Sequence, residues 1–241
     1  MCGRYTLTTP PDVLARAFCV PSVPPLPPHY NIAPTQTVPI VRQQAGREMV
    51  LARWGLVPSW ASDLSIGYRL LNARAETVAE KPSFRSAFRL RRCLVPATGL
   101  YEWQKLGKHK QPYHICLKGG GPFAFAGLWE RWQEPGGEPI DSCTILTTEA
   151  NDLMRSLHDR MPVILDPRSY DRWLDHGRHD REGLCSLLAP CPSEWLVAFP
   201  VSSYVSNARN EGLKCLEPVP AGHREESRPA CGCRAQRARG R

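Results

Sequence analysis

CLVPATGLYEWQKLGKHKQPYHICLKGGGPFAFAGLW, residues 93–129, holds three apolar runs separated by turn signals. Cys93–Trp103 is the first run, and GKHK at Gly107–Lys110 is a candidate hairpin turn. Tyr113–Leu117 follows, with Pro112 just ahead of it, and the glycines at 119–121 turn the chain into Phe123–Trp129. Runs of this length, bounded by glycine and rich in β-branched and aromatic residues, are strands. Short turns between them imply antiparallel pairing.

The same pattern extends outward. Gly3–Leu7, Val38–Val41 and Met49–Trp54 precede it; Ser142–Thr148, Met161–Leu165 and Trp195–Val201 follow. Helices are expected from Pro10, capped by Thr9 and with Val13, Leu14, Ala17 and Phe18 on one face, and around Thr77–Phe88, Ala150–Leu157 and Arg168–Asp175. The proline-rich stretch VPSVPPLPPHYNIAPTQ cannot be helix and reads as a stiff surface path. Many antiparallel strands with interspersed helices make an α+β single domain over residues 1–220. Residues 221–241 read as a basic, disordered tail.

The chain has 241 residues, 42% hydrophobic and 22% charged, which suits a folded domain with its own core. No apolar run approaches the roughly 20 residues that span a bilayer. MCGRYTLTTPPD has neither the basic nor the apolar region of a secretion signal. An intracellular location is therefore expected, nucleoid or cytoplasmic in a bacterium and nuclear in a eukaryote. The net charge is +8, but His223–Arg241 alone holds six Arg and two Glu, leaving +4 for residues 1–222. Such an arm could add salt-sensitive affinity for nucleic acid, or simply solubilise the chain.

Ten cysteines in an intracellular chain are expected to be reduced thiols. Cys93, Cys116 and Cys143 lie in strand-like runs and read as small buried hydrophobes. Cys215, Cys231 and Cys233 do not follow a known zinc spacing. No glycine-rich phosphate loop, carboxylate pair or HExxH motif is present, so no metal and no cofactor is implied.

Seven strings stand in order along the chain: MCGRY, HYNIAPTQ, ARWGLVPSW, NARAET, RCLVPATGLYEW, FAGLWERW and HDRMPVIL. Together they resemble the SOS-response-associated peptidase (SRAP) family from residue 2 to about residue 218, with SNARNEGLKCLEP a looser match near the end. Thr98 and Leu100 depart from the expected pattern, and residues 176–193 match little. The resemblance implies a twisted, β-rich, barrel-like core with peripheral helices. It also implies covalent capture of abasic sites in single-stranded DNA by a monomeric protein. The peptidase name then reflects self-removal of Met1, which exposes Cys2.

The chemistry suits the residue type. An abasic site presents a C1′ aldehyde, which condenses with an amine to a Schiff base. An N-terminal cysteine carries an α-amine and a thiol on adjacent carbons, so the thiol can then close a five-membered thiazolidine. Tethering gives that step a high effective concentration. The α-amine, with a pKa of about 7.7–8.0, is also substantially neutral at physiological pH.

By resemblance, Glu102 and His158 are the acid–base groups, and Asn72 hydrogen-bonds the adduct. Arg4, Arg74 and Arg160 hold phosphates, and Trp54 stacks on or wedges against bases, the other tryptophans being left to the core. An extended 72–74 segment would put Asn72 and Arg74 on one face. Two alternatives stay open: an N-terminal-nucleophile thiol peptidase or amidase using Cys2, Asn72 and His158, and a non-covalent reader of modified DNA in which Cys2 is structural.

Overall fold

The structure is a computed structural model that describes residues 2–134, 136–177 and 180–220. The tail beyond Pro220, with Cys231 and Cys233, lies outside the described residues. In chain order the elements are β1 (Tyr5–Leu7), α1 (Pro11–Phe18), β2 (His29–Ile32), β3 (Thr37–Gln43), β4 (Arg47–Trp54), β5 (Asn72–Arg74), α2 (Arg85–Leu90), β6 (Arg92–Ala97) and β7 (Gly99–Leu106). They continue with β8 (His109–Leu117), β9 (Phe123–Trp132), β10 (Ile140–Glu149), α3 (Asp152–Arg155), β11 (Arg160–Pro162), β12 (Ile164–Leu165), α4 (Tyr170–Leu174), α5 (Arg181–Cys185) and β13 (Leu196–Pro200).

Strands β4, β3, β6, β9 and β10 pair in that order, and β10 pairs back onto β4, which closes a five-stranded barrel. The closing β4–β10 contact is parallel and the others antiparallel, so the barrel is mixed. Every residue of β6 and all but one of β9 are buried, because these strands face the barrel on one side and other elements on the other. A second, antiparallel sheet runs β13–β8–β7–β1–β2. The fold is thus α+β and mostly strand, as expected. Among the described residues no helix is long and apolar enough to cross a membrane.

Several local expectations change. Cys93–Trp103 is two strands: the chain bends at Thr98 and passes from the barrel (β6) into the open sheet (β7). The bend is held by Thr98 N–H donating to the Thr6 carbonyl at 2.7 Å, and by contacts of the Thr98 hydroxyl with those of Thr6 (2.9 Å) and Thr8 (3.3 Å). The hairpin turn is Gly107–Lys108, so Pro112 lies inside β8 rather than ahead of it.

The helix expected over Thr77–Phe88 is a series of turns up to Phe84, with α2 only at Arg85–Leu90. Pro82 has no N–H and biases Lys81 away from helix. At α1 the cap position is Pro10, one residue after Thr9, and no side chain caps it. Met161–Leu165 splits, β11 pairing with β10 and β12 with β9. His29–Ile32 is a strand within the proline-rich path, and α5 lies in the weakly patterned 176–193 region.

Candidate active site

Cys2 is placed by β1. This strand pairs antiparallel with β7 in the register Tyr5↔Leu100, and Tyr101 N–H donates to the Arg4 carbonyl at 3.0 Å. Continuing that register sets the segment before β1 alongside Glu102 and Trp103. Cys2 is fully buried. Burial, and secondly the Glu102 charge, push its thiol up to about 12; a hydrogen bond from the Arg4 backbone N–H opposes them.

Glu102 lies in β7 with only 4% of its surface exposed, and burial pushes its carboxyl up to about 7. Removing a carboxylate from water favours the neutral acid, so this group can both give and take a proton near neutral pH. Asn72 comes from β5, which lies parallel to β10 with Asn72 beside Ile145. Its Nδ2 donates to the Cys2 carbonyl at 2.9 Å. Its buried Oδ1 has no hydrogen-bond partner among the described residues, leaving one acceptor beside Cys2.

His158 follows α3 and leads into β11. The Arg160 backbone N–H donates to its Nδ1 at 2.9 Å, and Asp159 Oδ1 lies 2.7 Å from the same nitrogen. These two partners require opposite protonation states of Nδ1. Asp159 is 86% exposed and therefore screened, whereas the backbone donor is held in place and burial lowers the imidazole pKa. The neutral ring, accepting at Nδ1 and carrying its proton on Nε2, is the consistent assignment. The Glu102 charge raises the Cys2 thiol, and the charge of Asp159, beside His158, raises Glu102. The thiol, the carboxyl and the His158 segment therefore share one electrostatic neighbourhood.

The arginines differ. Arg4 Nη1 donates to Asn31 Oδ1 (2.6 Å) and the Val205 carbonyl (2.9 Å), and the guanidinium lies 5.6 Å from the Trp103 ring centroid. It has no carboxylate partner among the described residues. Arg74 is exposed, and its charge helps to lower the Glu76 carboxyl. Arg160 is already engaged, bidentate on Glu76 (2.5 and 3.0 Å) and donating to the Thr147 carbonyl at 2.7 Å.

Trp54 is corrected. It is fully buried, its indole N–H donating to the Leu71 carbonyl at 2.9 Å and its ring edge-on to Tyr5, so no face is open to a base. Trp60, assigned with the other tryptophans to the core, is 62% exposed; Trp129 and Trp132 are buried. Its place after Pro58, in the polar stretch PSWASD, was the available signal.

Asn31 was also missed. Besides accepting from Arg4, its amide lies within hydrogen-bonding distance of the carbonyls of Val205, Asn207 and Asn210, so it ties the C-terminal segment to the site arginine. Among the described residues no three of His, Cys, Asp and Glu gather as a metal site.

The family model described as SOS response associated peptidase matches residues 1–208. The chain belongs to the SRAP family. Among its SRAP-related proteins, "Abasic site processing protein YoqW" of Bacillus subtilis (strain 168) is 43% identical over 222 residues, covering 90% of this chain and 99% of that one. "Abasic site processing protein HMCES" of Xenopus tropicalis is 33% identical over 224 residues, covering 80% of this chain and 66% of the longer relative. A crystal structure of a protein from Bacteroides thetaiotaomicron superposes with a TM-score of 0.83 at 28% identity, covering 91% of this chain and all of that one.

Proposed function

We propose that this protein processes abasic sites in DNA by capturing them covalently through Cys2 once Met1 is removed. The cluster of Cys2, Asn72, Glu102 and His158 carries the reading, above all a buried carboxyl with a pKa near 7 acting on a buried thiol. The names of the relatives support the substrate.

The freed α-amine of Cys2 adds to the C1′ aldehyde of the open sugar, giving a carbinolamine. Loss of its hydroxyl as water, with a proton from Glu102 or His158, leaves the Schiff base. The thiol then adds across that C=N bond: sulfur bonds to C1′, and the nitrogen takes up a proton. A thiol held up at about 12 stays protonated, so the attack needs a base, and ionised Glu102 beside it supplies one. Asn72 holds the Cys2 carbonyl, so the amine and thiol stay oriented while bonds change, and its free Oδ1 accepts from the adduct. The same Schiff base permits β-elimination of the 3′ phosphate, a lyase outcome in competition with ring closure.

Arg4 and Arg74 hold flanking phosphates, and Arg160 joins them by exchanging Glu76 for a phosphate. Trp60, rather than Trp54, offers the exposed ring for an unstacked base, which favours single-stranded DNA.

The deciding experiment incubates Met1-free protein with a single-stranded oligonucleotide carrying one abasic site, then runs a denaturing gel. A heat-stable shifted band that Cys2→Ser abolishes is expected. A stable band from protein with residues retained ahead of Cys2 would overturn the ring mechanism. No band, with peptide turnover instead, would favour the amidase reading.

A further inference from the structure

Away from the Cys2 site, α2 and α5 border a groove of about 590 Å3 lined by Arg85, Arg89 and Arg181 with an apolar floor of Ala79, Phe88 and Leu184. Arg85 and Arg89 are four apart, share one face of α2, and are both exposed. Neither has a carboxylate partner among the described residues. Arg181 stands opposite, held by Glu80 at 2.7 Å.

The helix presenting the two free arginines is anchored from below. The buried Arg92 guanidinium donates to the carbonyls of Phe88 (2.8 Å) and Arg89 (2.8 Å) at the end of α2, and to that of Trp173 in α4 (2.6 Å). Arg85 and Arg89 thus project from a braced platform.

A short stretch of chain links the groove to the candidate active site. Glu76 holds Arg160 at the site, and four residues later Glu80 holds Arg181 at the groove. Lys81 and Glu80 N–H both bond the Thr77 carbonyl, so the connecting chain is a tight turn. Four Cα steps cannot exceed about 15 Å, so Glu76 and Glu80 lie within that distance of each other. Arg74 and Arg160 at the site and Arg181, Arg85 and Arg89 at the groove are thus joined through one short segment of chain.

We propose that this groove is a second, non-covalent contact for the phosphodiester backbone of the DNA strand that enters the Cys2 site. The inference rests on the abasic-DNA reading for its ligand class, but not on the thiazolidine chemistry.

The test measures equilibrium binding of the full chain and of an Arg85→Gln/Arg89→Gln variant to lesion-free single-stranded oligonucleotides. The oligonucleotides are about 20 nucleotides long, beyond the range a single-strand site covers. The variant should show a log affinity against log salt slope shallower by about 1.4, two contacts at about 0.7 each. Capture of an abasic oligonucleotide at saturating DNA should proceed at the same rate in both proteins. Equal slopes would overturn the groove. A shallower slope in the variant, when neither protein forms a covalent adduct, would leave the groove standing and sink the capture chemistry instead.

Discussion

The barrel and the open sheet adjoin at Thr98, and one uninterrupted apolar run supplies a strand to each, yet their interiors are composed differently. In the barrel strands, the fully buried side chains include Ile40, Trp54, Leu94, Phe125 and Ile145; Arg42 there pairs with Glu48 and Asp141, and the buried Arg92 is held by carbonyl oxygens. The open sheet buries Glu102, His114 and the Thr6 hydroxyl, and Arg4 lies half-buried beside it. His114 sits between the rings of Tyr101 and Phe199, over Gly99, where an added Cβ would strike its imidazole. Burial pulls His114 down to about 4, while on the neighbouring strand burial lifts Glu102 to about 7. The barrel is where apolar burial supplies stability; the sheet is where stability is given up to hold ionisable groups in unfavourable surroundings.

Substituting one residue from each region should separate these roles. Trp54→Ala, in the barrel, is expected to cost about 3–5 kcal/mol in denaturant unfolding. Glu102→Gln, in the sheet, should do the opposite at pH 8. A carboxyl moved from 4.5 to about 7 is penalised when ionised, so its removal should gain up to about 3 kcal/mol, at about 1.4 per unit. Capture of an abasic oligonucleotide should meanwhile slow by about 10²–10⁴-fold. A Glu102→Gln protein no more stable than the original at pH 8 would mean that the carboxyl is not penalised there.

The pH dependence sharpens the contrast within the sheet. Between 4.5 and about 7 the folded state binds more protons at Glu102 than the unfolded state, so this group adds stability as pH falls. Between 6.5 and about 4 the unfolded state binds more at His114, so that group removes stability as pH falls. The two nearly offset in the unaltered chain. In Glu102→Gln the offsetting contribution is gone, so the loss of stability between pH 6.5 and 4 should exceed that of the unaltered chain by up to about 3 kcal/mol. Parallel unfolding curves for the two proteins across that range would remove the contrast.

The smallest effect is expected at the edge of the site. Arg74→Ala should leave unfolding within about 0.5 kcal/mol and make the salt slope of single-strand binding shallower by about 0.7. An unchanged slope would take Arg74 off the phosphate path.

Much of this was legible before any coordinates, because some signals are local. Apolar runs bounded by glycine marked most strands, and ordered motifs carried the family. The thiol and the amine that processing would free belong to a single residue, so Cys2 could be singled out from its position alone. Pairing and direction are not local. Cys93–Trp103 contains nothing that forbids a single strand, and only the hydrogen bonds of Thr98 to residues about ninety positions earlier divide it between two sheets. Trp54 and Trp60 both follow strand-like text, but barrel closure through β4 and β10 buries the first and leaves the second outside.

The sequence by itself therefore determined the chemistry available at residue 2 and the class of fold, since both follow from residue type and short-range pattern. Only the tertiary structure decided which groups share the buried space around Cys2, and so which pKa values move. Burial is set by contacts between segments far apart in the chain: β1 against β7, β5 against β10, and His158 at the entry to β11.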